Sequence, residues 1–385
     1  MGVIRDGALL VGNGVIQEVG PTRRVENLAK ARDAVEISAV GRVVMPGFVD
    51  SHTHLMFPPP EVGDEEIQSA SRLVRTSSVR RLVGRTRAHL EAMARYGTTT
   101  VEAKTGSLLD ESTEIKLLRV MAALKNEPLD VIPTFLMRLP QGGLHGDGAI
   151  ETAVDWVSRE FLAKISRRRL AHFADLVLDG EPARRPWFDR LLKAAGQAGF
   201  HCKIHSRTRH AGYATALAGG RNVVSIDHLE EALPEEASAL GAFGCIATLL
   251  PCYDLYGSRV AACTRSLIEA GVPLALASDF NPQHTPTLNM QTVVALASRQ
   301  FGLTIGEAIS AAVINGAHAA GCANRAGSLE LGKGADLLIL NISDYRELGD
   351  QLGMNLVHLT MKRGAFIYKE GDVAPLAAED LHTAW

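Results

Sequence analysis

Nowhere in its 385 residues does the chain approach 18 uninterrupted apolar residues, so no membrane-spanning helix is expected. Charge of neither sign dominates. The 40 Lys and Arg against 43 Asp and Glu leave a net charge of -3, too balanced for a phosphate-tracking protein, and nucleic acid is not an expected partner. Cysteine is scarce and odd in number: Cys202, Cys245, Cys252, Cys263 and Cys322 form no CxxC pair. That pattern fits reduced thiols in a cytoplasmic protein rather than a disulfide framework. The start, Met1 to Asp6, has no apolar run behind a basic residue, so no secretory leader is expected. There is no internal repeat and no low-complexity tract. What is present is a 46% hydrophobic content, ample for a large core.

Length alone suggests two to three domains, unless one large barrel absorbs most of the chain. Eight β-rich runs favour the barrel, at 43–54, 98–104, 130–137, 174–179, 200–205, 222–228, 243–249 and 272–279. Between them lie stretches with a 3.6-residue apolar period, such as 80–96 and 112–124. Strands alternating with helices predict an α/β fold, a (β/α)8 TIM-like barrel whose chemistry sits where the strands end. Both chain ends read as short, glycine-punctuated β pieces, and the economical arrangement is one small β-sandwich built from the two. The expected division is 1–44 and 326–385 for the sandwich and 45–325 for the barrel. Gly12-Asn13-Gly14 lacks the third glycine of a dinucleotide site and reads as a β-turn. His145 falls in a stretch (142–148) that reads as a glycine-rich loop, and Arg167-Arg168-Arg169 as a solvated helix end.

Two histidines, His52 and His54, close the first expected strand. Strand residues two apart share a face, so both imidazoles can enter one site at the barrel mouth. His205, His228 and Asp279 end three further strands. Three imidazoles and a carboxylate suit one divalent ion, Zn or Fe, with a position left for water. Such an ion lowers the pKa of water toward 7 and polarises a carbonyl or amidine. Asp279 can then serve as both ligand and proton acceptor, and His228 can steady the developing oxyanion or orient the attacking oxygen. The natural reaction class is hydrolysis of a C–N bond in a small molecule.

Residues 46–55 (PGFVDSHTHL), 97–106 (GTTTVEAKTG), 227–230 (DHLE), 278–282 (SDFNP) and 327–336 (GSLELGKGAD) carry a resemblance to the amidohydrolase superfamily. Within it the chain looks most like the imidazolonepropionases, which open an imidazolone ring in histidine degradation. The resemblance implies one metal held by His52, His54, His205 and Asp279, with His228 and Asn281 also at family positions, and a homodimer. Lys104 ends the second expected strand; elsewhere in the superfamily a lysine bridges two metals, but this family is mononuclear.

The substrate side departs from that family. Glu61, after Pro58-Pro59-Pro60, stands where an arginine holds the substrate's propionate. Ser107 replaces a tyrosine, Leu139 a substrate histidine, and Thr208 a glutamate three residues after the metal histidine. Gln283 and His284 replace small residues. A guanidinium gripping a carboxylate cannot be exchanged for a carboxylate without a large loss of binding or a shift of the substrate. The expected substrate is therefore less anionic, a small cyclic amide, amidine or related nitrogen compound. The alternatives are a true imidazolonepropionase in which Arg72, Arg75, Arg138, Arg207 or Arg209 supplies the positive charge, a deaminase of a nitrogen heterocycle, and a scaffold without activity. The complete ligand set argues against the last.

Overall fold

A hairpin opens the chain, β1 (Gly7–Gly12) against β2 (Val15–Pro21), in a computed structural model that describes residues 2–57, 72–106, 110–139, 142–178, 184–206, 211–219, 221–230, 232–253 and 260–371. Its turn is the expected one: Asn13 and Gly14 have φ of 53° and 78°, the double positive that a two-residue hairpin loop demands. A second, antiparallel sheet joins the two chain ends. Strand β3 (Val43–Pro46) pairs with β12 (Leu337–Leu340), which pairs with β13 (Val357–Lys362), which pairs with β14 (Ala365–Lys369). Ile16, Leu337, Ile339, Leu359 and Met361 pack into one apolar cluster that ties the hairpin to this sheet.

The barrel is a separate sheet of eight strands in chain order. They are β4 (Phe48–Asp50), β5 (Thr98–Lys104), β6 (Asp130–Met137), β7 (Phe173–Leu178), β8 (His201–Ser206), β9 (Val223–Asp227), β10 (Ile246–Leu249) and β11 (Leu274–Leu276). All the pairings are parallel. The ends meet where Thr53 bridges Phe280 in parallel and His54 N–H donates to the Phe280 carbonyl at 2.7 Å. Strands such as β5 and β7 are buried along their whole length, as a parallel sheet covered by helices requires.

One expected strand is two. The run 43–54 breaks at Gly47, so β3 belongs to the terminal sheet and β4 to the barrel. Gly47 N–H turns to the Asp336 carbonyl at 3.0 Å, while Phe48 N–H takes that of Gly97 at 3.0 Å. Apolar content is continuous across the break, which is why pattern alone joins the halves. The run 243–249 is also shorter than expected: Phe243 ends the helix Pro234–Phe243, Gly244 caps it with φ 66°, and only Ile246–Leu249 is strand. Nor is 142–148 a loop; it starts the helix Gly142–Trp156, whose hold on the barrel comes from buried Ile150 and Val154. Arg167, Arg168 and Arg169 are exposed at the end of the helix Leu162–Arg167, as expected. No helix among the described residues is long and apolar enough to cross a membrane.

Candidate metal centre

At the carboxyl ends of the barrel strands, the segment after β4 brings His52 and His54 to the interior. Thr53 between them points the other way and donates its hydroxyl to the Glu102 carbonyl at 2.6 Å. The His52 ring lies 5.4 Å from that of His54, 4.8 Å from that of His205 at the end of β8 and 5.3 Å from that of His228 after β9, centroid to centroid. Asp279, after β11, closes the group. Its Oδ1 is 3.6 Å from His52 Nε2 and 3.8 Å from His54 Nε2.

Two donors each about 2.1 Å from one ion can stand no more than about 4.2 Å apart. His52 and His54 each meet that limit against Asp279, and the ligand atoms of all three lie within 4.8 Å of one another. His52, His205 and His228 form a second such group that shares His52. Within the protein, His52 Nε2, His54 Nδ1 and His205 Nδ1 are buried and have no hydrogen-bond partner. Burial first, and the charge of Lys104 second, holds the His52 and His54 imidazoles well below their usual pKa. His205 is pushed down by burial and then by His228. Neutral imidazoles with unused lone pairs beside a carboxylate are what a divalent ion needs, so the residues present fit such a group.

The backbone is bent to make this arrangement. His228 and Asp279 have φ of 65° and 53°, left-handed values that cost a non-glycine residue about 1–3 kcal/mol. Asp50 on β4 holds the turn that carries Asp279: it accepts from Ser278 N–H at 3.0 Å and from the Ser278 hydroxyl, which in turn accepts from Phe280 N–H at 2.9 Å. Burial pushes Asp279 up to about 8 and Asp50 up to about 6. Asp279 Oδ2 accepts from Thr285 Oγ1 at 3.3 Å. His228 is flanked by the rings of His205 at 4.5 Å and Tyr253 at 4.7 Å.

Other expected site residues fall elsewhere. Leu139 packs into the barrel core at 3% exposure and presents little surface to a substrate. Asn281 spends its Oδ1 on Gln283 N–H at 3.0 Å, so it shapes the turn after Asp279. His284 is exposed, and both it and Arg138 contribute to holding His54 down. Arg75 pairs outside with Asp110 at 3.1 Å. Glu61, Ser107, Arg207, Thr208 and Arg209 lie outside the described residues. Lys104 is committed to carboxylates: burial opposes its charge, but Asp175, Glu102 and Asp227 outweigh burial and push its pKa up. The five cysteines are buried, and burial raises Cys252 to about 12, which leaves it no thiolate to use.

Sequence reasoning missed the groups that support the histidines. Asp227 Oδ2 sits 2.6 Å from His52 Nδ1, and Lys203 reaches the Ser51 carbonyl at 2.9 Å. The signal for Lys203 was there: it stands two residues before His205 on β8, and strand period places both inside.

Residues 62–368 match the Amidohydrolase family. An imidazolonepropionase of Geobacillus kaustophilus is 33% identical over 403 residues, covering 97% of this chain and 92% of the relative. One of Parabacteroides distasonis is 35% identical over 389 residues, covering 94% and 92%. Among solved structures, a zinc-bound adenosine deaminase from Xanthomonas campestris shares the fold with a TM-score of 0.70 and 19% identity, over 98% of this chain and 92% of its own. An N-isopropylammelide isopropylaminohydrolase from Burkholderia multivorans does so with a TM-score of 0.73 and 17% identity, over 96% and 98%. Barrel, histidine cluster and near full-length likeness agree: the chain belongs to the amidohydrolase family, hydrolases of carbon–nitrogen bonds, and within it is similar to the imidazolonepropionases.

Proposed function

We propose that the protein is a mononuclear metal-dependent hydrolase that opens a C–N bond in a small cyclic amide, amidine or related nitrogen compound less anionic than imidazolonepropionate. The observation that carries the metal assignment is the convergence of His52 Nε2 and His54 Nε2 on Asp279 Oδ1, at 3.6 and 3.8 Å, across two strand ends. His205 completes the ligand set, its ring 4.8 Å from that of His52. When bound, a divalent ion supplies Lewis acidity to the scissile group and acidifies a water.

The chain's own residues do the rest. Asp279 takes the proton of the attacking water and returns it to the leaving nitrogen, so that an amine rather than an amide anion departs. His228, braced by His205 and Tyr253, donates to the oxygen on which negative charge develops. The water-poor setting strengthens both contacts, since Asp279 and His228 are 5% and 2% exposed.

The less anionic substrate rests on the resemblance, in which Glu61 stands where an arginine holds the substrate's propionate and Ser107 where a tyrosine stands. One observation favours a second reading, true imidazolonepropionase activity: Arg138 directly follows β6, and its charge helps hold the His54 imidazole down. Imidazolonepropionate offered to the metal-loaded protein, followed by loss of its ultraviolet absorbance beside a panel of neutral cyclic amides, separates the two. The changed-substrate reading predicts turnover of a neutral compound at least about tenfold above imidazolonepropionate. Efficient turnover of imidazolonepropionate, abolished by Arg138→Gln, establishes the second reading instead.

A further inference from the structure

Beneath the histidines lies a layer of charge that takes no part in the proposed chemistry. Glu102 and Lys104 on β5, Asp175 on β7, Lys203 on β8 and Asp227 on β9 all face the barrel interior and are 0–1% exposed. Lys104 Nζ is 2.7 Å from Asp175, 3.0 Å from Glu102 and 3.4 Å from Asp227. Lys203 Nζ is 2.7 Å from Glu102 and 3.5 Å from Asp227, and it donates to the Ser51 carbonyl at 2.9 Å. Thr134 donates to Glu102 at 2.5 Å and Ser225 to Asp227 at 2.8 Å.

Stability does not account for such a layer. Replacing buried ion pairs by apolar side chains of similar volume is often neutral or stabilising, because desolvation offsets their attraction. What the layer does accomplish is geometric. Asp227 Oδ2 takes His52 Nδ1 at 2.6 Å, and Lys203 grips both that carboxylate and the carbonyl one residue before His52. Ring and main chain of one residue are thus fixed by a single ammonium. A carboxylate on Nδ1 keeps the imidazole proton there and leaves the lone pair on Nε2. That is the nitrogen found buried, without a protein partner, 3.6 Å from Asp279.

We propose that Asp227, clamped by Lys104 and Lys203, is the positioning residue that fixes the tautomer and orientation of His52 and thereby sets metal affinity. The inference rests on the metal-dependent reading above. Three carboxylates face two ammoniums, so Asp227→Asn leaves two of each and preserves size, and the variant should fold. A paired change, Lys203→Met with Glu102→Gln, removes one charge of each sign and tests the clamp where Asp227→Asn does not fold.

The measurements are metal affinity, by competition of apoprotein with a chromophoric chelator, and nitrogen NMR of the His52 imidazole without metal. Asp227→Asn is expected to bind Zn about 10–100-fold more weakly, with the Nδ1-protonated tautomer of His52 no longer dominant. The paired variant is expected to lose about tenfold in affinity at unchanged secondary structure. Affinity within about threefold of wild type, with the same tautomer, in whichever variant folds overturns the inference. Were wild type itself to bind no metal, the proposed reaction would fall, while the tautomer would still judge the role of Asp227.

Discussion

Asp279 is the residue on which most of the proposed chemistry converges, since its Oδ1 faces two imidazoles and its Oδ2 is steadied by Thr285. Asp279→Asn keeps the volume and removes the proton acceptor, so turnover is expected to fall by about 10²–10⁴-fold with the circular dichroism spectrum unchanged. A variant retaining turnover within about tenfold of wild type contradicts that role. Glu230 supplies a pH test. It accepts from Leu250 N–H at 2.7 Å, its Oε2 is buried without a hydrogen bond, and burial pushes it up to about 8. A carboxyl raised in the folded state holds a proton that the unfolded chain releases, so it costs nothing below the unfolded value near 4.5 and destabilises increasingly as pH rises toward 8. Glu230→Gln is therefore expected to flatten the loss of apoprotein stability between those limits. Denaturant unfolding at both ends checks it, and an unchanged slope contradicts the burial argument.

At the scale of elements, the site depends on how β4 and β11 are stitched together. Ser278→Ala removes the hydroxyl that links Asp50 to Phe280 N–H and leaves a buried carboxylate short of a donor, a loss of about 1–3 kcal/mol. Differential scanning calorimetry should show a lower Tm, and metal affinity should fall with it as the turn carrying Asp279 loosens; an unaltered Tm means the clip is dispensable. Gly47 governs the other end of β4. A Cβ there would stand 2.2 Å from Thr99 Cγ2, so Gly47→Ala is expected to cost about 1–3 kcal/mol through overpacking between the two sheets. The same elements mark what was legible beforehand. Parallel strands buried on both faces announce themselves as apolar runs, and eight of them with helices between specify a barrel. Gly47 was invisible as a boundary because apolar character runs straight through it. His52, His54 and Asp279 were legible because period-two geometry and strand ends assign them without tertiary knowledge. Asp50 and Asp227 were not, because a carboxylate's partner 175 residues away in sequence is fixed only by strand order and register; for Lys203 strand period gave the inward face but not its partners.

For the whole molecule, the chain ends pair with each other through β3 and β12, so the barrel is enclosed between its own termini. The proposed metal ligands come from the segment after β4, the end of β8 and the segment after β11, and the first and last of these meet where the sheet closes through Thr53 and Phe280. Binding of an ion to the native state alone must therefore stabilise the entire barrel, by about 4 kcal/mol at a free concentration a thousand times Kd. Stripping the ion with a chelator is expected to lower Tm, and restoring it to recover the wild-type value. The most direct test of the account is metal content. Protein expressed in Zn- or Fe-supplemented medium should carry about one equivalent per chain, lost in a His52→Ala, His54→Ala double variant that keeps its fold. Less than about 0.2 equivalents in wild type, with no uptake on reconstitution, would contradict it and make the chain an inactive scaffold.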